Sequence, residues 1–127
     1  MIVPSLLTSD LEQTLQFYGR LGFSVSGRNT EGTDATWAEV CWADVRLQFY
    51  TEAPHGTPAQ PLCSGTFYIS PVNVAERADA LRAAGLPIAW GPERMDYGVD
   101  EVAVQDPNGY FVAFAQPVEP ATDRPFP

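Results

Sequence analysis

The chain has 127 residues, 45% apolar and 18% charged, with a formal charge of −9. That length supports one domain that buries roughly two-thirds of its extended-chain surface without disulfides or metals. All seven basic residues are Arg and the single His is His55, which excludes Lys-based chemistry and zinc sites built on several His, while sixteen carboxylates against seven basic residues argue against a nucleic-acid footprint.

The first strand is expected over Ile2–Thr8. Asp10-Leu-Glu-Gln13 then opens a helix, with Asp10 placed to accept from first-turn amides and Gln13 at the capping-box position. Leu11, Leu15, Tyr18 and Leu21 follow at helical spacing, and Gly22 supplies a left-handed stop. Phe23-Ser-Val25 reads as a strand. A hairpin follows, from Ala35–Trp42 and Val45–Thr51 around Ala43-Asp44. The pattern then repeats at an offset of 63 residues. Gly65–Ser70 is a strand, Asn73-Val-Ala-Glu76 opens a helix carrying Val74, Ala78 and Leu81, and Gly85 stops it. Leu86-Pro-Ile88 is the next expected strand, and the closing hairpin joins Val99–Gln105 to Tyr110–Gln116 through Asp106-Pro-Asn-Gly109, a strong turn signal. Each half thus reads β-α-β-β-β. Residues 1–116 are expected to form a single α+β domain of two repeats, module 1 at about 1–52 and module 2 at about 64–116. A linker over 53–63 joins them, and a Pro-rich tail over 117–127 lacks regular structure.

The early apolar runs Ile2–Val3 and Leu6–Leu7 are too short for a signal peptide, and no stretch approaches the roughly 20 apolar residues of a membrane span. The expectation is a cytoplasmic protein with Cys41 and Cys63 reduced.

The duplicated unit resembles the vicinal oxygen chelate superfamily, which includes glyoxalase I, extradiol dioxygenases, fosfomycin-resistance enzymes and bleomycin resistance proteins. Three stretches carry the resemblance: Asp10-Leu-Glu-Gln-Thr-Leu-Gln-Phe-Tyr18, Leu21-Gly-Phe23 and Asp106-Pro-Asn-Gly109. It implies two modules of curved mixed sheet forming a cleft, usually within a homodimer. Enzymes of the superfamily place one metal ligand at each of four strand positions. Here these positions hold Val3, Gln48, Thr66 and Ala113, or Ser5 in place of Val3 if the alignment slips by two. Only Gln48 is a plausible donor, and a divalent cation needs several. No metal and no cofactor are therefore expected, which places the lyase, isomerase and dioxygenase activities in doubt together. Pro4 near the first strand and the pair Tyr97-Gly98 resemble the bleomycin-resistance-like subgroup, whose members bind without chemistry.

Strand alternation assigns the lining of the implied cleft. Arg46, Gln48 and Tyr50 oppose Leu47 and Phe49, and Trp37, Glu39 and Cys41 oppose Ala38, Val40 and Trp42. In the second module Thr66, Tyr68 and Ser70, then Glu101, Ala103 and Gln105, then Phe111, Ala113 and Ala115 take the same face, with Trp90 and Tyr97 beside them. The expected ligand-binding residues are Trp37, Glu39, Gln48, Tyr50, Tyr68, Trp90, Tyr97, Glu101 and Phe111. Flat aromatic faces and carboxylates suit a planar cationic molecule such as a glycopeptide antibiotic, held intact and away from its target. In plainer readings the aromatics are core, and Glu39 and Glu101 pair with Arg46 or Arg94. An alternative is a lyase or isomerase of the same fold using Glu39 or Glu101 as general base. A weaker option is a partner-binding module.

Overall fold

The computed structural model describes residues 1–52 and 65–118. The expected linker and all but the start of the expected tail lie outside these residues. The chain divides into two units, whose described residues are 1–52 with 106–109, and 65–105 with 110–118.

In the first unit the order is β1 (Ser5–Leu7), α1 (Leu11–Leu21), β2 (Ser24–Arg28), β3 (Trp37–Trp42) and β4 (Val45–Tyr50). Asp10 caps α1 as expected, its Oδ1 accepting from the Gln13 amide at 3.0 Å. Gly22, at φ 108°, ends the helix. The next amide, that of Phe23, turns back to the Tyr18 carbonyl at 2.9 Å, so the freed carbonyls of the last turn are satisfied. The stripe Leu11, Leu15, Tyr18 and Leu21 is buried, as are Ala38, Val40, Leu47 and Phe49 on the sheet. The Tyr18 ring lies 5.0 Å from that of Phe49 and 5.4 Å edge-on from that of Phe23. Burial of a side chain the size of Phe49 contributes about 1.5–3 kcal/mol.

The sheet order is β1-β4-β3-β2, with β1 parallel to β4 and the other pairs antiparallel. The first strand is shorter than the expected Ile2–Thr8. It pairs only with β4, the first hydrogen bond running from the Gln48 amide to the Pro4 carbonyl, and Met1 and Ile2 stand exposed. The second strand runs later than Phe23–Val25, because Phe23 is taken up by the helix stop. Ala43 in the β3–β4 turn adopts φ 53°, a left-handed conformation rarely taken by a residue with a Cβ.

The second unit contains β5 (Thr66–Ile69), α2 (Val74–Ala83), β6 (Trp90–Arg94), β7 (Val99–Gln105) and β8 (Phe111–Pro117), in the order β5-β8-β7-β6. Asn73 caps α2 through the Glu76 amide at 3.0 Å, and Gly85, at φ 70°, follows its end. Val74, Ala78 and Leu81 are buried on the helix, and Val102, Val104, Val112 and Phe114 on the sheet. Leu86-Pro-Ile88, an expected strand, is not one. Pro87 offers no amide, Leu86 is held by the helix stop through a bond to the Leu81 carbonyl, and contact with β7 begins at the Ala89 amide, 2.7 Å from the Ala103 carbonyl. Pro117, expected in an irregular tail, closes β8 opposite Val99. It is tolerated there because β5 pairs only with Phe111–Phe114 and leaves that end of β8 with one neighbour.

The turn Asp106–Gly109 was expected as a plain hairpin turn, yet it groups with the first unit. Asp106 Oδ2 accepts from the Tyr18 hydroxyl at 2.9 Å. Asn108 bonds to Thr8 Oγ1 at 2.8 Å and to Thr14 Oγ1 at 3.2 Å. Thr8, Thr14, Tyr18 and Asp106 are all buried, so this polar cluster is satisfied from within.

Candidate ligand-binding site

Each sheet has one face against its helix and one face turned away from it. On the first sheet the alternation holds. Leu47 and Phe49 are buried, while Gln48 and Tyr50 are half-buried and Arg46 is exposed. Register sets Trp37 opposite Tyr50, Glu39 opposite Gln48 and Cys41 opposite Arg46, so the predicted residues Trp37, Glu39, Gln48 and Tyr50 share one surface. β2 shifts register between Val25 and Gly27, and a Cβ on Gly27 would lie 3.4 Å from the Trp37 ring.

Glu39 is held on three sides. Its Oε1 accepts from Ser26 Oγ at 2.8 Å and from Arg46 Nη1 at 2.9 Å, and its Oε2 accepts from Gln48 Nε2 at 3.0 Å. The Gln48 and Ser26 hydrogen bonds, then Arg46, keep its pKa below the ordinary carboxylate range. The plainer reading of Glu39 as a partner of Arg46 is thus the observed one. Ser26 carried no sequence signal, because its approach depends on the β2 bulge.

On the second sheet the corresponding face is largely closed. Ala103, Ala113 and Ala115, expected as open lining, are fully buried, and so is Glu101 at 0% exposure. Two of these alanines have aromatic cross-strand neighbours. Trp90 sits opposite Ala103, and its ring lies 5.3 Å from that of Phe111. Trp90 Nε1 donates to Glu101 Oε1 at 3.1 Å, and the Tyr97 hydroxyl donates to Glu101 Oε2 in a short hydrogen bond. Burial first, and Glu101 second, raise the Tyr97 phenol pKa above its ordinary value. Trp90, Tyr97 and Phe111 are half-buried, and Tyr68 is 37% exposed at the β5 edge, opposite Ala113. The structure therefore gathers Trp90, Tyr97, Glu101 and Phe111, with Tyr68 beside them. Arg94, the alternative partner for Glu101, pairs with Asp100 at 2.5 Å instead.

Glu101 reaches its position through an unforeseen glycine. β6 shifts register between Trp90 and Glu93, and Gly91 there adopts φ 83°. A Cβ on Gly91 would fall 2.1 Å from the Glu101 carbonyl oxygen, so only glycine permits this approach. The Gly-Pro pair at 91–92 was the available signal.

The four metal-ligand positions implied by the resemblance do not fit a divalent cation. Val3 precedes β1, and register sets Ser5 opposite Gln48. Gln48 Nε2 is engaged with Glu39. In the second unit Thr66 lies opposite Phe111, and Tyr68 opposite the buried methyl of Ala113. These side chains supply one amide and hydroxyls where such an ion requires several strong donors. Among the described residues, no three His, Cys, Asp or Glu side chains gather as a metal cluster, and no helix is long and apolar enough to cross a membrane.

Comparison with solved structures finds matches over nearly the whole chain. A bleomycin resistance determinant encoded on the transposon Tn5 is 26% identical, with 92% of this chain and 97% of that chain covered and a TM-score of 0.69. A bleomycin-binding protein complexed with bleomycin is also 26% identical, covering 91% and 97% at a TM-score of 0.65. TioX from Micromonospora sp. ML1, at 21% identity, 91% and 96% coverage and a TM-score of 0.75, shares the fold. No curated protein matches. The paired β-α-β-β-β units agree with a family model spanning residues 2–114, and on that match the chain belongs to the Glyoxalase/Bleomycin resistance protein/Dioxygenase superfamily.

Proposed function

We propose that this protein is a metal-independent small-molecule binding protein that sequesters a planar, cationic, antibiotic-like ligand without transforming it. The observation that carries this reading is the aromatic face of the second sheet, where Trp90, Tyr97 and Phe111 stand around the buried acid Glu101. Half-buried rings offer stacking area at little cost in side-chain entropy, and their faces attract cations. The first sheet, taken by itself, carries Trp37 opposite Tyr50 and the Glu39–Arg46–Gln48 network on one surface. The unsuitable donors at the metal positions, and the 26% identity to a protein complexed with bleomycin, support binding over metal-assisted chemistry.

The reading as a lyase or isomerase is less well supported. A general base at neutral pH needs a raised carboxylate pKa, whereas hydrogen bonds and Arg46 move Glu39 the other way. A homodimer remains part of the proposal, since the resemblance implies one, and equilibrium sedimentation at micromolar concentration tests it.

The deciding experiment is titration with metal-free bleomycin, read by intrinsic Trp fluorescence, with and without chelator. Saturable quenching that is insensitive to chelator, with bleomycin recovered intact, is the expected result. No quenching by bleomycin or by other cationic aromatic antibiotics overturns the reading, as does any modified product.

A further inference from the structure

Glu101 has no accessible surface, so it cannot meet a ligand's amine directly as the sequence suggested. Its two oxygens are instead spent on two rings, accepting from Trp90 Nε1 at 3.1 Å and from the Tyr97 hydroxyl. Among the described residues no basic side chain pairs with it. Glu39, on the first unit, is the contrasting case, with its charge matched by Arg46 at 2.9 Å.

We propose that Glu101 is the positioning residue that makes this face choose planar cations over planar uncharged rings, acting through Trp90 and Tyr97 rather than by contact. The proposal rests on the binding reading above. A hydrogen bond from an indole N–H or a phenol O–H to a carboxylate pushes electron density into the ring. That deepens the negative face on which a cation sits within about 6 Å of the ring centre. The same two bonds lock the orientation of both rings, and the Trp90–Phe111 contact at 5.3 Å extends the surface. Because the carboxylate is shielded from water, its field at the surface is weakened less than that of an exposed acid. Gly91 is what allows β6 to approach Glu101 closely enough for this arrangement.

The test uses the full chain and two probes of nearly the same shape, proflavine, a cation at neutral pH, and acridine, uncharged at slightly alkaline pH. Equilibrium dialysis gives both dissociation constants for the wild type, Glu101→Gln and Tyr97→Phe. The wild type is expected to prefer proflavine by about tenfold, and Glu101→Gln to reduce that ratio to about twofold. Tyr97→Phe keeps the ring but cuts one hydrogen bond, and should lower the ratio as well. It carries the test alone if Glu101→Gln does not fold. In folded Glu101→Gln, ultraviolet titration should show the Tyr97 phenol ionising at lower pH than in the wild type. An unchanged ratio in the variants, or two affinities falling in parallel, overturns the proposal, because a purely structural role would do that. Bleomycin binding without any binding of proflavine overturns it too, while leaving the general reading intact. Absence of binding by the wild type to bleomycin and to every other cationic aromatic antibiotic is the failure of that general reading.

Discussion

Two glycines make opposite demands on the chain. Gly91 sits at φ 83° with a backbone oxygen 2.1 Å from where a Cβ would be, so Gly91→Ala must displace β6 or β7. It should lower unfolding free energy by at least about 2 kcal/mol in urea denaturation. Gly19, inside α1, has nothing within 4 Å, and Gly19→Ala should raise stability by about 0.5–1 kcal/mol in the same assay. Glu39 adds a pH dependence. Its lowered folded pKa means that the unfolded chain binds the proton more tightly. Its contribution is therefore complete at neutral pH and is lost as acid carries the pH down through the lowered folded value. Glu39→Gln should flatten the acid limb of a plot of Tm against pH, and an acid limb identical to the wild type would contradict this. Alternation in Val45–Tyr50 correctly assigned Gln48 and Tyr50 to one face. Alternation in Val99–Gln105 assigned a face to Glu101 but not its burial, because alternation does not reveal the rings of Trp90 and Tyr97 that close on its carboxyl group.

At the level of elements, the two helices were the most legible parts. Cap, stripe and glycine stop are all local, and each supplies its own hydrogen bonds. Asp10→Ala and Asn73→Ala should each cost about 1 kcal/mol, measured by chemical denaturation. Strand boundaries were less legible, because a strand extends only as far as its partner. β1 is limited by β4, and β6 starts after Pro87 rather than before it. The Asp106–Gly109 turn shows the same limit over a longer range. Its composition announced a turn, but nothing local announced Thr8, Thr14 and Tyr18, between 88 and 100 residues earlier, as its partners. Tyr18→Phe removes one donor to a buried carboxylate, and should destabilise the fold by about 1.5–3 kcal/mol with little effect on ligand affinity.

At the level of the whole molecule, the charge of −9 acts on encounter rather than on fit. The association rate for a cationic ligand should fall as ionic strength rises from about 0.01 M to about 0.15 M, where the screening length shrinks from about 30 Å to about 8 Å. Stopped-flow fluorescence measures this, and a rate indifferent to salt would remove charge from the account of capture. The shared face of each sheet could be read from sequence because side chains alternate along each strand. The coupling of an acid to two rings could not, since it arises from a bulge and a glycine rather than from periodicity.

The first unit is built from two separate stretches of chain, with residues 106–109 returning to α1. A fragment ending at residue 52 would leave Thr8, Thr14 and Tyr18 without Asn108 and Asp106. Repetition in the text of the gene therefore does not amount to autonomy of the pieces. Splitting this polypeptide between its repeats would yield a front half missing its own clasp, and recovery of a folded product would require the back half to be supplied in trans.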